Sequence, residues 1–295
     1  MYYFIYVPLY ALSLLPFRIL YFFSDCIYTV LFYGICYRRK VVMHNLTIAF
    51  PDKTEKERLA ISKKFYRNFI DCIVETVKLL SLTDKEFSKR FTSNVEVVNT
   101  LYETGLNAQF IAGHFFNWEF INWGVAKYCK YPWAGVYMPL SNKIFDRIMY
   151  KLRSRYNTIL IPATQFKTNF DHYVKDRYAL GLAADQNPSS CDNAYWINFF
   201  GRLTPFIKGP EKGAKTKNTA VVFGHFYAVK RGHYHTEFEI LTTKPSLFAD
   251  GELTRLFVQK MEEAINKVPH NYLWSHRRWK YSYNDEKHAH LCVRS

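Results

Sequence analysis

The clearest structural signal in the chain is the stretch Gln109-Phe-Ile-Ala-Gly-His-Phe-Phe-Asn-Trp-Glu119. An apolar run typical of a strand ends at Gly113, and His114 follows at its carboxyl end, where α/β folds place their functional sites. Further short apolar runs alternate with helical patterns along the chain, at residues 135–138, 158–161, 179–184 and 219–223. This alternation predicts β/α units around a mostly parallel or mixed central sheet flanked by helices.

Helices are predicted on both sides of this region. Thr54 and Glu57 have the spacing of a capping box, and apolar residues then recur every three to four positions as far as Leu80. Thr83 and Glu86 repeat the capping signal for a shorter helix, and residues 252–268 form a last helical pattern that ends before Pro269. No internal repeat or linker is visible, so we expect one globular domain over residues 38–284 and a polar, mobile C-terminal tail over 285–295.

The N-terminal segment, residues 1–37, differs from the rest of the chain. It carries two charged residues, Arg18 and Asp25, and 13 of the 54 aromatic residues. Residues 19–36 are 18 in number and just long enough to cross a bilayer. The basic run 38–40 follows at once, which marks the cytoplasmic side. We therefore expect a membrane helix, and a helix lying in the membrane plane remains the alternative because prolines and Asp25 interrupt the segment.

The chain is strongly basic. Its 40 Lys and Arg against 25 Asp and Glu give a formal charge of +15, and residues 38–295 hold 39 and 24 of these, so the whole excess lies beyond the N-terminal segment. A mean hydropathy of −0.21 excludes a protein with many membrane spans. The charge predicts an anionic partner, and the apolar N-terminus favours a lipid surface over nucleic acid. The six cysteines form no CxxC pair, so free thiols are expected and a zinc site is not.

His114 and Glu119 are the first candidates for chemistry. On a continuous helix, residues five positions apart point in directions separated by roughly 140°, and the two side chains would not meet. If a loop intervenes, the carboxylate can fold back onto the imidazole, fix its tautomer and raise its basicity. The other ring nitrogen could then deprotonate a hydroxyl group. A capping histidine near an unrelated surface glutamate is the structural alternative.

The motif also carries a family resemblance. Residues 113–119, Gly-His-Phe-Phe-Asn-Trp-Glu, resemble the GHFGNWE motif of the late acyltransferases of lipid A biosynthesis, bacterial inner-membrane enzymes that acylate glucosamine-based lipids from acyl-acyl carrier protein. Other blocks resemble this family in the same order along the chain: Arg38-Arg39-Lys40 with Asn45-Leu46 and Phe50-Pro51, Ala184-Asp185-Gln186 with Phe199-Phe200-Gly201, and Tyr272–Lys280, which is similar to its W-x-H-R-R-[FY]-K signature.

The resemblance implies a fold like that of the glycerolipid acyltransferases and a function in O-acyl transfer. His114 would be the general base and Glu119 the residue that orients it, with no metal and no cofactor. The implied partners are acyl carrier protein, with acyl-CoA as an alternative donor, an anionic glycolipid acceptor and the membrane, with the catalytic domain on the cytoplasmic side of the bacterial inner membrane. Phe116 departs from the pattern, because family members usually have glycine there, and the match beyond residue 201 is loose.

Several residues are candidates for binding substrate. The basic residues Lys143, Arg147, Lys151 and Arg155 recur every four positions along one predicted helix. Arg153 and Arg155 both lie where the family has its anion-binding arginine, and the sequence does not choose between them. The other candidates are Asn117 in the motif, Asp185 after a predicted strand, and Arg277 and Arg278 in the C-terminal block. Asp185 could instead pair with an arginine or cap a helix.

Three functions remain open at the level of sequence. The first is acyl transfer to a lipid A precursor. The second is the same chemistry on another acceptor, such as an aminolipid, a glycolipid or a glycerophospholipid. The third is a non-catalytic basic protein that binds a membrane or nucleic acid, although no helix-turn-helix, zinc-finger or RNA-recognition signature supports nucleic-acid binding.

Overall fold

The structure is a computed structural model that describes residues 1–293, and residues 294 and 295 lie outside the described part. Within it the helices are α1 (Tyr2–Leu14), α2 (Phe17–Thr29), α3 (Arg39–Ala49), α4 (Glu55–Lys78), α5 (Asp84–Ser88), α6 (Glu96–Glu103), α7 (Trp118–Tyr128), α8 (Lys143–Arg153), α9 (Phe166–Tyr173), α10 (Gly209–Lys217), α11 (Glu252–Lys267) and α12 (Asp285–His288). The strands are β1 (Phe91–Ser93), β2 (Ala108–Ala112), β3 (Trp133–Tyr137), β4 (Ile159–Pro162), β5 (Ala179–Ala183), β6 (Ala194–Phe199), β7 (Arg202–Ile207), β8 (Ala220–Lys230) and β9 (His233–Thr242). A π-helical turn, Val30–Ile35, continues α2.

Seven strands form the central sheet in the order β1-β9-β8-β2-β5-β3-β4. The five strands from β8 to β4 are parallel to one another, whereas β9 pairs antiparallel with β8, and β1 runs parallel to β9. The predicted α/β class with a mostly parallel sheet flanked by helices is confirmed. The hairpin β6–β7 forms a separate two-stranded sheet, which the sequence did not predict.

The local signals for helices are also confirmed. Thr54 and Glu57 form a reciprocal capping box, in which the Glu57 backbone N–H donates to Thr54 Oγ1 over 3.3 Å and the Thr54 N–H donates to Glu57 Oε2 over 2.8 Å. These bonds satisfy N–H groups that the first turn of α4 would otherwise leave free. Thr83 caps α5 from one side only, with its side chain accepting from the backbone N–H of Glu86.

The predicted helix that carries the basic stripe is shorter than expected. Helix α8 ends at Arg153, because Tyr156 and Asn157 adopt positive φ angles of 59° and 62° that no α-helix tolerates. Arg155 therefore lies outside α8, and the stripe consists of the three lysine and arginine residues before it.

The described part of the C-terminal tail packs on the body instead of extending into solvent. The ring of His288 stacks on that of Trp196 with their centroids 4.4 Å apart, and the Val293 N–H donates to the Trp196 carbonyl over 3.0 Å. Contacts with Trp196 of β6 thus hold this part of the tail against the body, although its polar sequence had predicted a mobile segment.

The sheet brings two polar loops together. Strands β2 and β5 are parallel neighbours, with Ala112 beside Ala183 in register. His114 follows the end of β2 and Asp185 follows the end of β5, so both side chains lie at the same carboxyl edge of the sheet.

Candidate active site

His114 and Asp185 are in direct contact. The Nδ1 atom of His114 lies 2.6 Å from Oδ1 of Asp185, and Asp185 is 2% exposed. A buried carboxylate at this distance accepts the Nδ1–H and leaves Nε2 as the unprotonated nitrogen of the neutral ring. The pair therefore has the arrangement of a general base with its orienting carboxylate.

The contact changes the pKa values of both groups. Burial lowers the pKa of His114, but the charge of Asp185 and its hydrogen bond raise it by more, so the pKa lies above its ordinary value. Burial raises the pKa of Asp185, but the charge and hydrogen bond of His114 outweigh this effect and hold it below its ordinary value. Asp185 therefore stays ionised and makes His114 a stronger base.

The second nitrogen of His114 also has a partner. The side-chain amide nitrogen of Gln186 lies 3.3 Å from Nε2 of His114. This is a weak hydrogen bond, because its length is at the long end of the usual range. An acceptor hydroxyl that reaches Nε2 must displace it, so Gln186 marks the position that the reacting oxygen would take.

Glu119 has a different partner from the one expected. Its carboxylate accepts two hydrogen bonds from Nε of Arg153, at 3.0 and 3.1 Å, and one from the Arg153 NH2 group at 2.6 Å. No hydrogen bond joins Glu119 to His114 in the part of the chain that the structure describes. A loop does separate β2 from α7, which begins at Trp118, but Glu119 in the first turn of α7 faces the end of α8 and pairs with Arg153 there.

Asn117 is a structural residue of this site. It is fully buried, and its side-chain oxygen accepts the Glu119 N–H over 3.2 Å, which makes it the N-cap of α7. Its amide donates to the buried carboxylate of Glu75 on α4 over 3.1 Å. Burial raises the pKa of Glu75 to about 7, although hydrogen bonds from Tyr234, Tyr21 and Asn117 oppose the shift. These contacts hold the start of α7, and with it Glu119, in place.

A cavity of about 420 Å³ opens beside His114, Glu119 and Arg153. Apolar side chains from the sheet and α7 form most of its wall, among them Phe110, Ile121, Val125, Trp133 and Leu182. Glycine is required in the sheet at residue 181, because a Cβ atom there would lie 2.5 Å from the Trp133 ring. The cavity thus joins a polar end at the edge of the sheet to an apolar interior, which suits a ligand with a polar head and a long chain.

A sequence model of the family described as bacterial lipid A biosynthesis acyltransferase matches residues 1–281 of the chain. The chain belongs to this family. It is therefore an acyltransferase, and its family acts on acceptors of the lipid A type and is associated with bacterial membranes. A comparison with curated proteins gave no match.

The structure separates the two candidate arginines of the acyltransferase. Arg153 lines the cavity, whereas Arg155 lies over the Trp123 ring, 4.5 Å from its centroid, and donates to the carbonyl of Leu82 over 3.1 Å. Arg155 does not line the cavity, because the helix has ended before it and the chain turns away. Of the two, only Arg153 lines the cavity.

The C-terminal arginines differ in their exposure. Arg278 is 1% exposed, donates to Asn187 Oδ1 over 2.8 Å and to the Pro205 carbonyl over 2.9 Å, and packs on Phe206. Burial lowers its pKa to about 10. Arg278 therefore joins the loop after β5 to strand β7 and lacks the open position that contact with a phosphate requires. Arg277 is exposed, outside the cavity wall.

Phe116, which replaces the usual glycine of the motif, does not line the cavity. Its side chain is 1% exposed and packs against Phe65 and Phe69 of α4, with centroids 5.7 and 6.1 Å away. The substitution is accommodated on the side of the loop that faces α4, so it leaves the space beside His114 open.

Sequence reasoning missed the roles of Gln186 and Glu75. Gln186 follows Asp185 directly, so its position was visible in the motif, but its contact with His114 was not. Glu75 looks like one more polar residue of a surface helix, and only its contacts reveal its place under the site. Within residues 1–293, no group of three or more His, Cys, Asp or Glu side chains is arranged to hold a metal ion.

Proposed function

We propose that this acyltransferase moves a fatty acyl chain from acyl-acyl carrier protein to a hydroxyl group of a lipid A precursor, at the cytoplasmic face of the bacterial inner membrane. The observation that carries the proposal is the 2.6 Å contact between His114 and Asp185 at the polar end of a largely apolar cavity. Family membership supplies the class of reaction, and the site supplies a base, a place for a chain and a cation for the acceptor.

The proposed step needs only this dyad. Nε2 of His114 takes the proton of the acceptor hydroxyl while its oxygen attacks the thioester carbonyl carbon of the donor. The tetrahedral oxyanion then collapses, the C–S bond breaks, and the imidazolium returns the proton to the departing thiolate. Asp185 stabilises the imidazolium between the two transfers. In this proposal, backbone N–H groups at the start of α7 stabilise the oxyanion.

The apolar lining of the cavity is evidence that the transferred group is a fatty acyl chain. Phe110 lies in β2, four positions before His114, and its ring lines the cavity on the interior side of the base. Its ring packs edge to face on Trp133 and on Phe238, with centroids 5.2 and 5.3 Å apart. A cluster of three aromatic rings on that side offers an extended chain an apolar lining far from water, and burying each methylene there contributes about 0.8 kcal/mol.

The position of Arg153 is evidence that the acceptor is phosphorylated. Glu119 holds the guanidinium through Nε and one terminal nitrogen, which leaves donors of the other terminal nitrogen free to face the cavity. An arginine oriented in this way is suited to bind a phosphate group. In this proposal Glu119 positions Arg153, and Asp185 takes over the orienting role that the motif had suggested for Glu119.

If Arg153 binds the phosphate of the acceptor, a variant without it should no longer prefer a phosphorylated acceptor to a dephosphorylated one. In the double variant Glu119→Gln, Arg153→Ala, which leaves no unpaired buried carboxylate, we expect kcat/KM with a phosphorylated acceptor to fall about 10- to 100-fold, because a hydrogen bond to a charged group is lost. With the dephosphorylated acceptor the variant and the native enzyme should be nearly equal. Lys143→Ala, an exposed change at the other end of α8, is the control. An unchanged preference for the phosphorylated acceptor in the double variant would contradict this role.

The donor can be tested with the purified protein in vesicles. The account predicts transfer to a lipid A precursor from acyl-acyl carrier protein at a higher kcat/KM than from the corresponding acyl-CoA, because a body of charge +15 attracts an acidic carrier protein. The preference should shrink as salt is added. Equal rates from both donors at all salt concentrations would exclude carrier-protein recognition, and no transfer from either would exclude the proposed reaction.

A further inference from the structure

The N-terminal segment has two faces. Its outer face carries large apolar side chains that are more than half exposed, including Phe4, Val7, Leu14, Phe22, Val30 and Ile35. One helix, Phe17–Ile35, is long and apolar enough to cross a membrane by length and composition. What this helix contacts on its inner face decides whether it does so.

The inner face of α2 is fastened to α4 by apolar and polar contacts. Leu20, Tyr28 and Phe32 are each at most 5% exposed. Between them, Ser24 donates to Asp71 over 2.5 Å, and the Tyr21 hydroxyl donates to Glu75 over 2.8 Å. A helix that spans a bilayer on its own does not place polar side chains along one side against a water-soluble body.

Asp25, the charged residue in the middle of this helix, is also paired. Arg231, in the turn between β8 and β9, donates to both Asp25 oxygens over 2.9 and 3.0 Å and to both Asp71 oxygens over 2.7 and 2.8 Å. The middle of α2 is therefore tied to the sheet as well as to α4.

These contacts are incompatible with a helix that crosses the bilayer. Crossing as packed would carry the Arg231 turn and the charged residues of α4 into the hydrocarbon. Detaching α1 and α2 instead would remove one hydrogen-bond donor each from Asp71 and Glu75 and both carbonyl acceptors from Lys78, which are each at most 6% exposed. Lys78 now donates to the carbonyls of Ser13 and Leu15 at the end of α1, over 2.8 and 3.1 Å. The first rearrangement places charged groups in hydrocarbon, and the second leaves buried polar groups with fewer hydrogen bonds.

We propose that the N-terminal segment lies in the plane of one membrane leaflet, with its outer face in the lipid and its N-terminus on the same side of the membrane as the catalytic body. Basic residues lie along the edge of this face: Lys63 is 5.8 Å from the ring centroid of Tyr33, which is 57% exposed, and Arg39 and Arg67 lie over the neighbouring inner-face rings of Phe32 and Tyr28, 4.9 and 5.0 Å from their centroids. Cations at the rim of an exposed apolar face match the anionic headgroups of a bilayer surface.

The same surface leads towards the cavity. The Tyr2 ring of α1 lies against Arg147 and Lys151 of α8, 4.6 and 5.6 Å from its centroid. Met138 and Leu140, in the loop before α8, are 65% and 40% exposed and line the cavity beside His114. On the proposed function, on which this consequence rests, a lipid acceptor would pass from the leaflet along α8 and the loop before it to His114.

Topology is tested by placing one protease-sensitive tag before Met1 and, in a second protein, after Ser295. The proposal predicts that both tags are cut in inverted inner-membrane vesicles and that neither is cut in intact spheroplasts. Cutting of the N-terminal tag alone in spheroplasts would show a spanning helix and overturn the proposal. The result does not depend on catalysis, so the proposal and the proposed function can fail separately.

Membrane insertion of the outer face is tested by flotation of the purified protein with vesicles containing phosphatidylglycerol. Phe22→Asp should weaken partitioning about 10- to 100-fold, whereas Leu247→Asp, which alters a residue that is 76% exposed on another surface, should leave it unchanged. Equal loss in both variants would overturn the proposal. So would a native protein that stays out of the vesicles as a dimer and becomes a monomer with Phe22→Asp, because a second copy would then cover this face.

Discussion

Replacing His114 with alanine is expected to lower kcat for acyl transfer by about 10²- to 10⁴-fold, the usual contribution of a general base. His114 is the only residue in the described cavity wall whose free ring nitrogen can take the proton of a hydroxyl group at neutral pH. Its side chain is 27% exposed, so the truncation should leave the fold intact. The measurement is the rate of acyl transfer in vesicles, together with the thermal unfolding midpoint.

An exposed histidine provides the matched control for this result. His290→Ala removes a ring of the same chemistry from the C-terminal region, and we expect full activity. Full activity in a correctly folded His114→Ala protein would contradict the assignment of the base. A fall in the unfolding midpoint that accounts for the lost activity would show that the histidine supports the fold and not the reaction.

Replacing Asp185 with asparagine is expected to have the second-largest effect, again about 10²- to 10⁴-fold in kcat. An asparagine amide can donate to Nδ1 and so favour the tautomer in which Nε2 carries the proton and cannot act as a base. The change is nearly isosteric, and the side chain keeps its buried position. A loss of activity would therefore result from the changed position of the proton on the His114 ring and not from altered packing.

The pH profile distinguishes this role from a general loss of activity. Asp185 raises the pKa of His114, and the base works only when the ring is neutral, so activity rises with pH through that pKa. Without the carboxylate the pKa of His114 falls, and the acidic limb of kcat/KM should move to lower pH in Asp185→Asn. Glu119→Gln should leave that limb in place, because its carboxylate contacts Arg153. If Glu119→Gln moves the limb and Asp185→Asn does not, Glu119 orients the base as the motif alone had suggested.

The sequence was sufficient for the class of fold and for the position of the base. Apolar runs at the observed β2, β3, β4 and β5 and the capping box of α4 depend on neighbours within a few positions, so they can be read locally. His114 could be placed at the end of β2 for the same reason. The hairpin β6–β7 was missed although it too is local, since its strands pair within residues 194–207 and join through Phe200 and Gly201, which both have positive φ.

The side chains that contact His114 could not be predicted from neighbouring residues in the sequence. Asp185 is 71 positions from His114, and the two meet because β5 is the neighbour of β2, which depends on the order of strands in the sheet. The spacing of His114 and Glu119 suggested a contact that does not form, because the Glu119 carboxylate pairs with Arg153 at the end of α8. Similarly, the choice between Arg153 and Arg155 depends on where α8 ends, which positive φ angles at Tyr156 and Asn157 decide.

The central claim is that the dyad of His114 and Asp185 acylates a lipid A precursor. It is tested most directly by mass spectrometry of the lipids of a strain that lacks the gene and expresses either the native protein or the His114→Ala protein. The account predicts lipid A that lacks one acyl chain in the deletion strain, restored by the native protein and not by His114→Ala. Lipid A with unchanged acylation in the deletion strain, accompanied by the loss of an acyl chain from another lipid, would contradict the assigned acceptor. Restoration by His114→Ala would contradict the mechanism.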